Sequence, residues 1–454
     1  MSASTRDTDG ASTRDTDGAP TRDTDGAPVV PEGVAEARAV VDGVDRALGS
    51  GLARLSPDAR AALGELGHAV AGTPLGLAVS EAIAAIERGE LLAHHLGALA
   101  AGRAAIEGAV CDALLAAMVT STGLVLEPPT LGPAPAPDAR TLALMQSAQQ
   151  WLVEIALAGF GQLDLSTVSP ALAALRTLQE HPPLRRLAAL LTGFAHELAD
   201  AAPTSGSTEL PLRRWADLWS TAMLASSALP ATPTRRSVTG VLTPLGADLV
   251  HHDHLVSLVA HGLFEEDGQP RRLVRITLSV WRVDAIAGPE VFTRLAPLAP
   301  ELVAAIASPV RLQITGATAL GSGDLLWDGK VKPLPGAVQP HAIDLAGATI
   351  TAPPPRDRHA VQLAVPIVGA PPEGVPLAFD RTSPLAGLDE GDDRGALGFV
   401  GLLRYDDGFC VQPLAFATKK ELRGPAKGIV DAGKLKDRAA AVLEERAGRL
   451  LRKS

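Results

Sequence analysis

Aromatic side chains are scarce: Phe, Trp and Tyr make up 3% of the 454 residues, and the chain has a single tyrosine. A core without them must be filled by alanine, leucine and valine, whose small volumes favour closely packed helices. Cysteine is scarcer still. Cys111 and Cys410 are far apart, which excludes a disulfide framework and any CxxC thiolate site for a metal. Positive charge is in deficit, with 41 Lys and Arg against 51 Asp and Glu, a formal net charge of −10. That balance works against broad, nonspecific binding of nucleic acid.

The opening MSASTRDTDG lacks the apolar stretch of a signal peptide, and two isolated cysteines suit a reducing compartment, so the expected location is cytoplasmic. No charge-free apolar run of about 20 residues occurs, so no spanning helix is expected. The most apolar helical stretch, near 96–118, carries Arg103, Glu107 and Asp112. Motifs for phosphate cradling or nucleophilic catalysis are missing too. Neither GxxxxGK[ST] nor GxGxxG occurs, and Gly321-Ser322-Gly323-Asp324 runs into LLWDG rather than the helix a nucleophile elbow needs.

What is present is a globular composition, 46% hydrophobic and 20% charged, on a chain long enough for two or three cores. Residues 1–31 hold a repeat, Thr5–Gly10 recurring at Thr13–Gly18 and Thr21–Gly26, with no apolar position to stack; a disordered tail is expected. Its DTDG units share the opening of a calcium loop but lack the downstream Glu ligand.

Residues 32–229 read as helical. Ser56-Pro57 marks a helix start, and Asp138 caps another after a proline-rich loop. Further helices are expected near 75–88, 91–119, 139–158, 169–179, 184–201 and 211–229, giving a bundle or a stack of hairpins. Trp215 and Trp219 stand four apart and share a helix face. They are a candidate partner-binding pair; the plainer reading is that they dock the last helix on its own bundle.

A linker at 230–236 (PATPTRR) precedes a β-rich segment, 237–420. Its focus is Val238–Val283, read as strand, turn and strand around Asp267-Gly268. Val274, Ile276, Leu278 and Val280 alternate with Arg275, Thr277 and Ser279, the period of a half-buried strand. The densest polar cluster, His251-His252-Asp253-His254, lies here. In an extended chain His252 and His254 share a face, and with His261 or Asp248 as third ligand they form a candidate zinc site. No HExxH spacing supports it, and a solvated cluster is the plainer reading.

The chain closes in a basic amphipathic helix, 421–454. From Lys419 onward eleven Lys and Arg accompany five Asp and Glu, and Arg438, Arg446 and Arg449 are candidate partner-binding residues.

Four stretches carry a resemblance: RRWADLWSTAMLAS at Arg213–Ser226, VTGVLTPLGADLVHHDH at Val238–His254, LVRITLSVWRVDAIAGPEVF at Leu273–Phe292 and GLLRYDDGFCVQPLAFA at Gly401–Ala417. They resemble high-GC bacterial proteins encoded beside a SWIM-type zinc-finger protein and a MoxR-type AAA+ ATPase with a von Willebrand factor A partner. The resemblance implies an accessory component of a chaperone-like ATPase system and transfers no catalytic residue. The expected fold is α+β, a helical bundle followed by a β-rich domain. The expected function is a non-enzymatic scaffold or adaptor, with an AAA+ ATPase among its partners. The alternatives are a metal-dependent hydrolase using His251–His254, and nucleic-acid binding through the β domain and basic helix.

Overall fold

The computed structural model describes residues 28–417 and 422–423, apart from 208, 252–254, 282–290, 339–342, 359–362, 371, 383–387 and 389–395. The repeat tail, His252, His254, Arg438, Arg446 and Arg449 therefore lie outside the described residues.

The fold is α+β, with helices gathered in the first half and two sheets in the second. The helices are α1 (Val34–Ser50), α2 (Pro57–Val70), α3 (Gly76–Glu87), α4 (Ala93–Thr122), α5 (Ala139–Ala158), α6 (Leu165–Glu180), α7 (Arg185–Ala201) and α8 (Leu212–Ser227). Local chemistry sets their starts. Ser56 Oγ accepts from the Ala59 amide at 3.1 Å, and Asp138 Oδ1 from the Thr141 amide at 2.7 Å, each meeting an orphan donor of the first turn. α6 begins four residues before the expected Ser169, because Asp164 supplies the cap, accepting from the Thr167 amide at 3.0 Å.

Trp215 and Trp219 form the middle of the helical core, at 1% and 0% exposure. Trp219 Nε1 donates to the Leu152 carbonyl at 2.9 Å. Trp215 meets Phe160 edge-on, and Phe160 and Trp151 both meet Phe194 in the same way. This corrects the expectation of a partner-binding tryptophan face: both rings are consumed by packing.

α4 spans about 45 Å at 1.5 Å per residue. Its first half (Leu96, Leu99, Ala100) belongs to the helical core. Its second half (Val110, Leu114, Leu115, Met118) packs with Phe399, Leu403 and Val411 of the β region. By length and composition α4 matches a membrane-spanning helix, yet here its two halves serve two protein cores. The chain then makes a short strand, β1 (Val125–Glu127), that pairs in parallel with β7 (Thr349–Thr351). The boundary expected at 230–236 is thus crossed twice, by a shared core and by a strand.

The larger sheet runs β1-β7-β4-β3-β2-β5-β6, with β2 at Arg235–His251, β3 at Leu255–Glu265, β4 at Arg272–Trp281, β5 at Val310–Leu320 and β6 at Lys330–Ala337. The stretch expected to form one arm of a hairpin is in fact two antiparallel strands, with His251 opposite Val256. The second hairpin is as read: Phe264 pairs with Arg272 across a turn where Gly268 adopts a φ of 72°. Val274, Ile276 and Leu278 turn one face of the sheet toward α9 (Phe292–Leu295) and α10 (Pro300–Ala307). The other face meets a four-stranded sheet, β11-β10-β9-β8, made of β8 (Val365–Gly369), β9 (Gly398–Asp406), β10 (Gly408–Ala417) and β11 (Leu422–Arg423).

Candidate functional site: an arginine-rimmed cleft

Four segments remote in sequence meet beside α4. α4 contributes Arg103 and Glu107, four apart on one face, and α8 contributes Arg213 and Asp217 with the same spacing. Arg186, Leu187 and Leu190 come from α7, and Pro355, Arg356 and Arg358 from the loop after β7. All of these except Arg213, which lines the wider cleft beside it, line a cavity of about 400 Å³ whose walls are largely Ala, Leu and Pro. It opens beside a wider cleft of about 950 Å³ that Asp42, Arg46 and Arg214 also line. Such dimensions, with apolar walls and a few converging polar groups, are those of small-ligand and peptide-anchor sites.

The cavity floor is a buried ion network. Arg103, 2% exposed, holds Asp45 through two bonds of 2.6 and 3.0 Å and reaches Asp217 at 2.7 Å. Desolvation opposes the guanidinium charge, but the Asp45 bonds and the nearby Asp217 and Glu107 charges outweigh it, and its pKa rises. Burial pushes the Asp45 carboxyl up to about 6 against the pull of Arg103, with Asp217 and Glu107 adding repulsion.

The neighbouring pair is made differently. Arg213 touches Glu107 through one contact, Nη2 to Oε1 at 3.1 Å. Glu107 Oε2 and Arg213 Nε are buried without hydrogen-bond partners. A buried acceptor and donor left open in this way are costly unless something fills them.

At the rim, Arg186 pairs with Asp357, and Arg358 Nη1 reaches Asp112 at 2.5 Å. Arg356 Nη1 donates to the Ala228 carbonyl at 2.9 Å, and among the described residues no carboxylate pairs with it. Burial lowers its pKa, the Arg186 charge lowers it further, and Asp357 works the other way. An exposed guanidinium beside another cation is an anion-receiving position.

His261 lies elsewhere, on the face of β3 that meets the smaller sheet, and is 4% exposed. Burial drives its pKa down to about 3, and the Arg275 and Arg404 charges act in the same direction. Arg404 Nη2 and Gln412 Nε2 both donate to Asp248, each at 2.9 Å, which locks the two sheets together. The remaining ligands expected for zinc are thus differently placed: Asp248 is committed to Arg404 and Gln412, and His261 faces two guanidinium groups that repel a cation. Among the described residues no group of three or more His, Cys, Asp or Glu could hold a metal. Both cysteines are buried, and neither forms a disulfide.

Comparison of the chain with protein-family models, with curated proteins and with solved structures gives no match. The cleft is therefore read from its own residues. Sequence reasoning missed it, although one signal was present: three charges on the most apolar helix, Arg103, Glu107 and Asp112, all of which turn out to be paired.

Proposed function

We propose that the protein is a non-enzymatic adaptor that receives an acidic, apolar-flanked segment of a protein partner in the cleft between α4, α7, α8 and the 353–358 loop. The observation that carries this reading is Arg356, exposed at the mouth of an apolar cavity and without a carboxylate partner among the described residues. Arg186 and Arg358, each paired with an aspartate of its own, flank it and add positive charge at the mouth. Apolar walls of Leu187, Leu190 and Leu224 supply burial for the residue beside that carboxylate. The resemblance noted above makes a MoxR-type AAA+ ATPase the first partner to test.

Co-elution of the purified protein with such an ATPase on size-exclusion chromatography is the direct measurement. The complex is expected for the wild type and lost in Arg356→Glu, which reverses the charge without touching the helical core. A complex that survives the charge reversal would sink the reading.

A further inference from the structure

The cavity and its mouth differ in chemistry, and the difference describes a ligand smaller than a protein segment. The walls are aliphatic: Ala101, Ala104 and Ala105 of α4 line them with Leu187 and Leu190 of α7 and Leu224 of α8. Among the described residues that line the cavity none is aromatic, so no ring is offered for a nucleobase to stack on. The Ser220 hydroxyl already donates to the Ala216 carbonyl at 2.7 Å, and Arg103, Glu107 and Asp217 are held in ion pairs. A saturated chain suits such a lining, where a sugar or a nucleotide finds little to bond. The mouth, by contrast, is cationic, with four arginines lining the cavity against two carboxylates. Arg103, Arg186 and Arg358 each hold an aspartate, and among the described residues Arg356 holds none.

Arg356 is exposed, and the bond from its Nη1 to the Ala228 carbonyl fixes the guanidinium while Nε and Nη2 remain to donate. Those two nitrogens form the edge that takes one carboxylate through two parallel bonds. A phosphate brings a second charge, and the neighbouring guanidinium groups are already neutralised by Asp357 and Asp112. We infer that the cleft binds a medium-chain fatty acid, its carboxylate on Arg356 and its alkyl chain in the cavity between α4, α7 and α8. The volume of about 400 Å³ lies in the range of small-molecule sites and limits the length of chain that fits. The inference goes beyond the adaptor reading and uses the same arginine, so a bound acid and a bound partner segment exclude each other.

The test is isothermal titration calorimetry of the full-length protein, stripped of lipid on a hydrophobic resin, with hexanoate, octanoate and decanoate. Affinity is expected to rise about tenfold with each two-carbon step until the cavity is full, with a negative heat-capacity change. Octan-1-ol keeps the chain and loses the charge, and it is expected to bind about tenfold or more weakly than octanoate. Arg356→Ala is expected to bring octanoate down to the affinity of the alcohol and to leave the alcohol unchanged. Ala104→Phe, which fills the cavity from α4, is expected to weaken both. Affinity that does not change with chain length overturns the inference, as does equal binding of octanoate and octan-1-ol. Absence of binding by all three acids also overturns it, and the adaptor reading is decided separately by the co-elution experiment. Because chain and head group are varied on the ligand, the result does not depend on whether either variant folds.

Discussion

At the scale of single residues, burial decides what each charged or polar group can do. His261 illustrates this: buried beside Arg275 and Arg404, it stays neutral down to about pH 3 in the folded chain, against an ordinary value of 6.5. A depressed histidine pKa stabilises the fold fully above pH 6.5, and that contribution is lost progressively as pH falls toward 3. The slope is roughly 1.4 kcal/mol per pH unit while one extra proton binds the unfolded state. Urea denaturation between pH 4 and pH 7 should therefore show an acid limb shallower by about one proton in His261→Gln. Equal limbs in the two proteins would mean that His261 titrates normally. Arg103 is the converse case, a charge kept by its partners. Arg103→Ala strands Asp45 in the core and should cost about 3–5 kcal/mol in denaturant unfolding, whereas Arg103→Met with Asp45→Leu should recover most of that loss.

At the scale of elements, backbone approach and end chemistry set the arrangement. α1 and α5 end against each other: the Leu52 amide donates to the Ala156 carbonyl at 2.9 Å, and Gly51 and Gly159 lie in direct contact. A Cβ added at Gly159 would stand 2.3 Å from the Gly51 nitrogen, on a backbone whose φ of 83° already disfavours a side chain. Gly159→Ala should lower the thermal midpoint markedly, by contrast with Gly64→Ala, where nothing lies within 4 Å of the new methyl. Ser56→Ala should cost about 1 kcal/mol, the usual value of a lost N-cap. These helix ends were legible in the sequence because Ser-Pro and Asp at fixed offsets carry their own mechanism. β6 was not, since Pro333 and Pro335 argue against a strand; an edge strand tolerates them. β1 was hidden by its length of three residues.

At the scale of the whole molecule, the division into a helical and a β-rich part was legible from composition, but the interface between them was not. Sequence density drew the eye to His251–His254, four polar residues in a row. The cleft instead gathers Arg103, Arg186, Arg213 and Arg356 from segments separated by tens of residues, and no local pattern announces such a meeting. Spacing likewise places Trp215 and Trp219 on one helix face, which suits a partner site or docking on the bundle, and says nothing of what covers it. Expression of residues 28–229 alone should expose Val110, Leu114, Leu115 and Met118, which pack on the β region in the full chain. Light scattering is expected to find that fragment self-associated, and a monodisperse monomer would contradict the shared core.

Because α4 runs through both cores as a single rod, its two ends are not mechanically independent. A segment wedged between α4 and α8 pushes on a shaft whose far end is seated among Met118, Phe399 and Val411. Occupancy of the cleft should accordingly be readable at a distance, as slowed amide exchange along 110–119 and in β9, neither of which touches the bound chain.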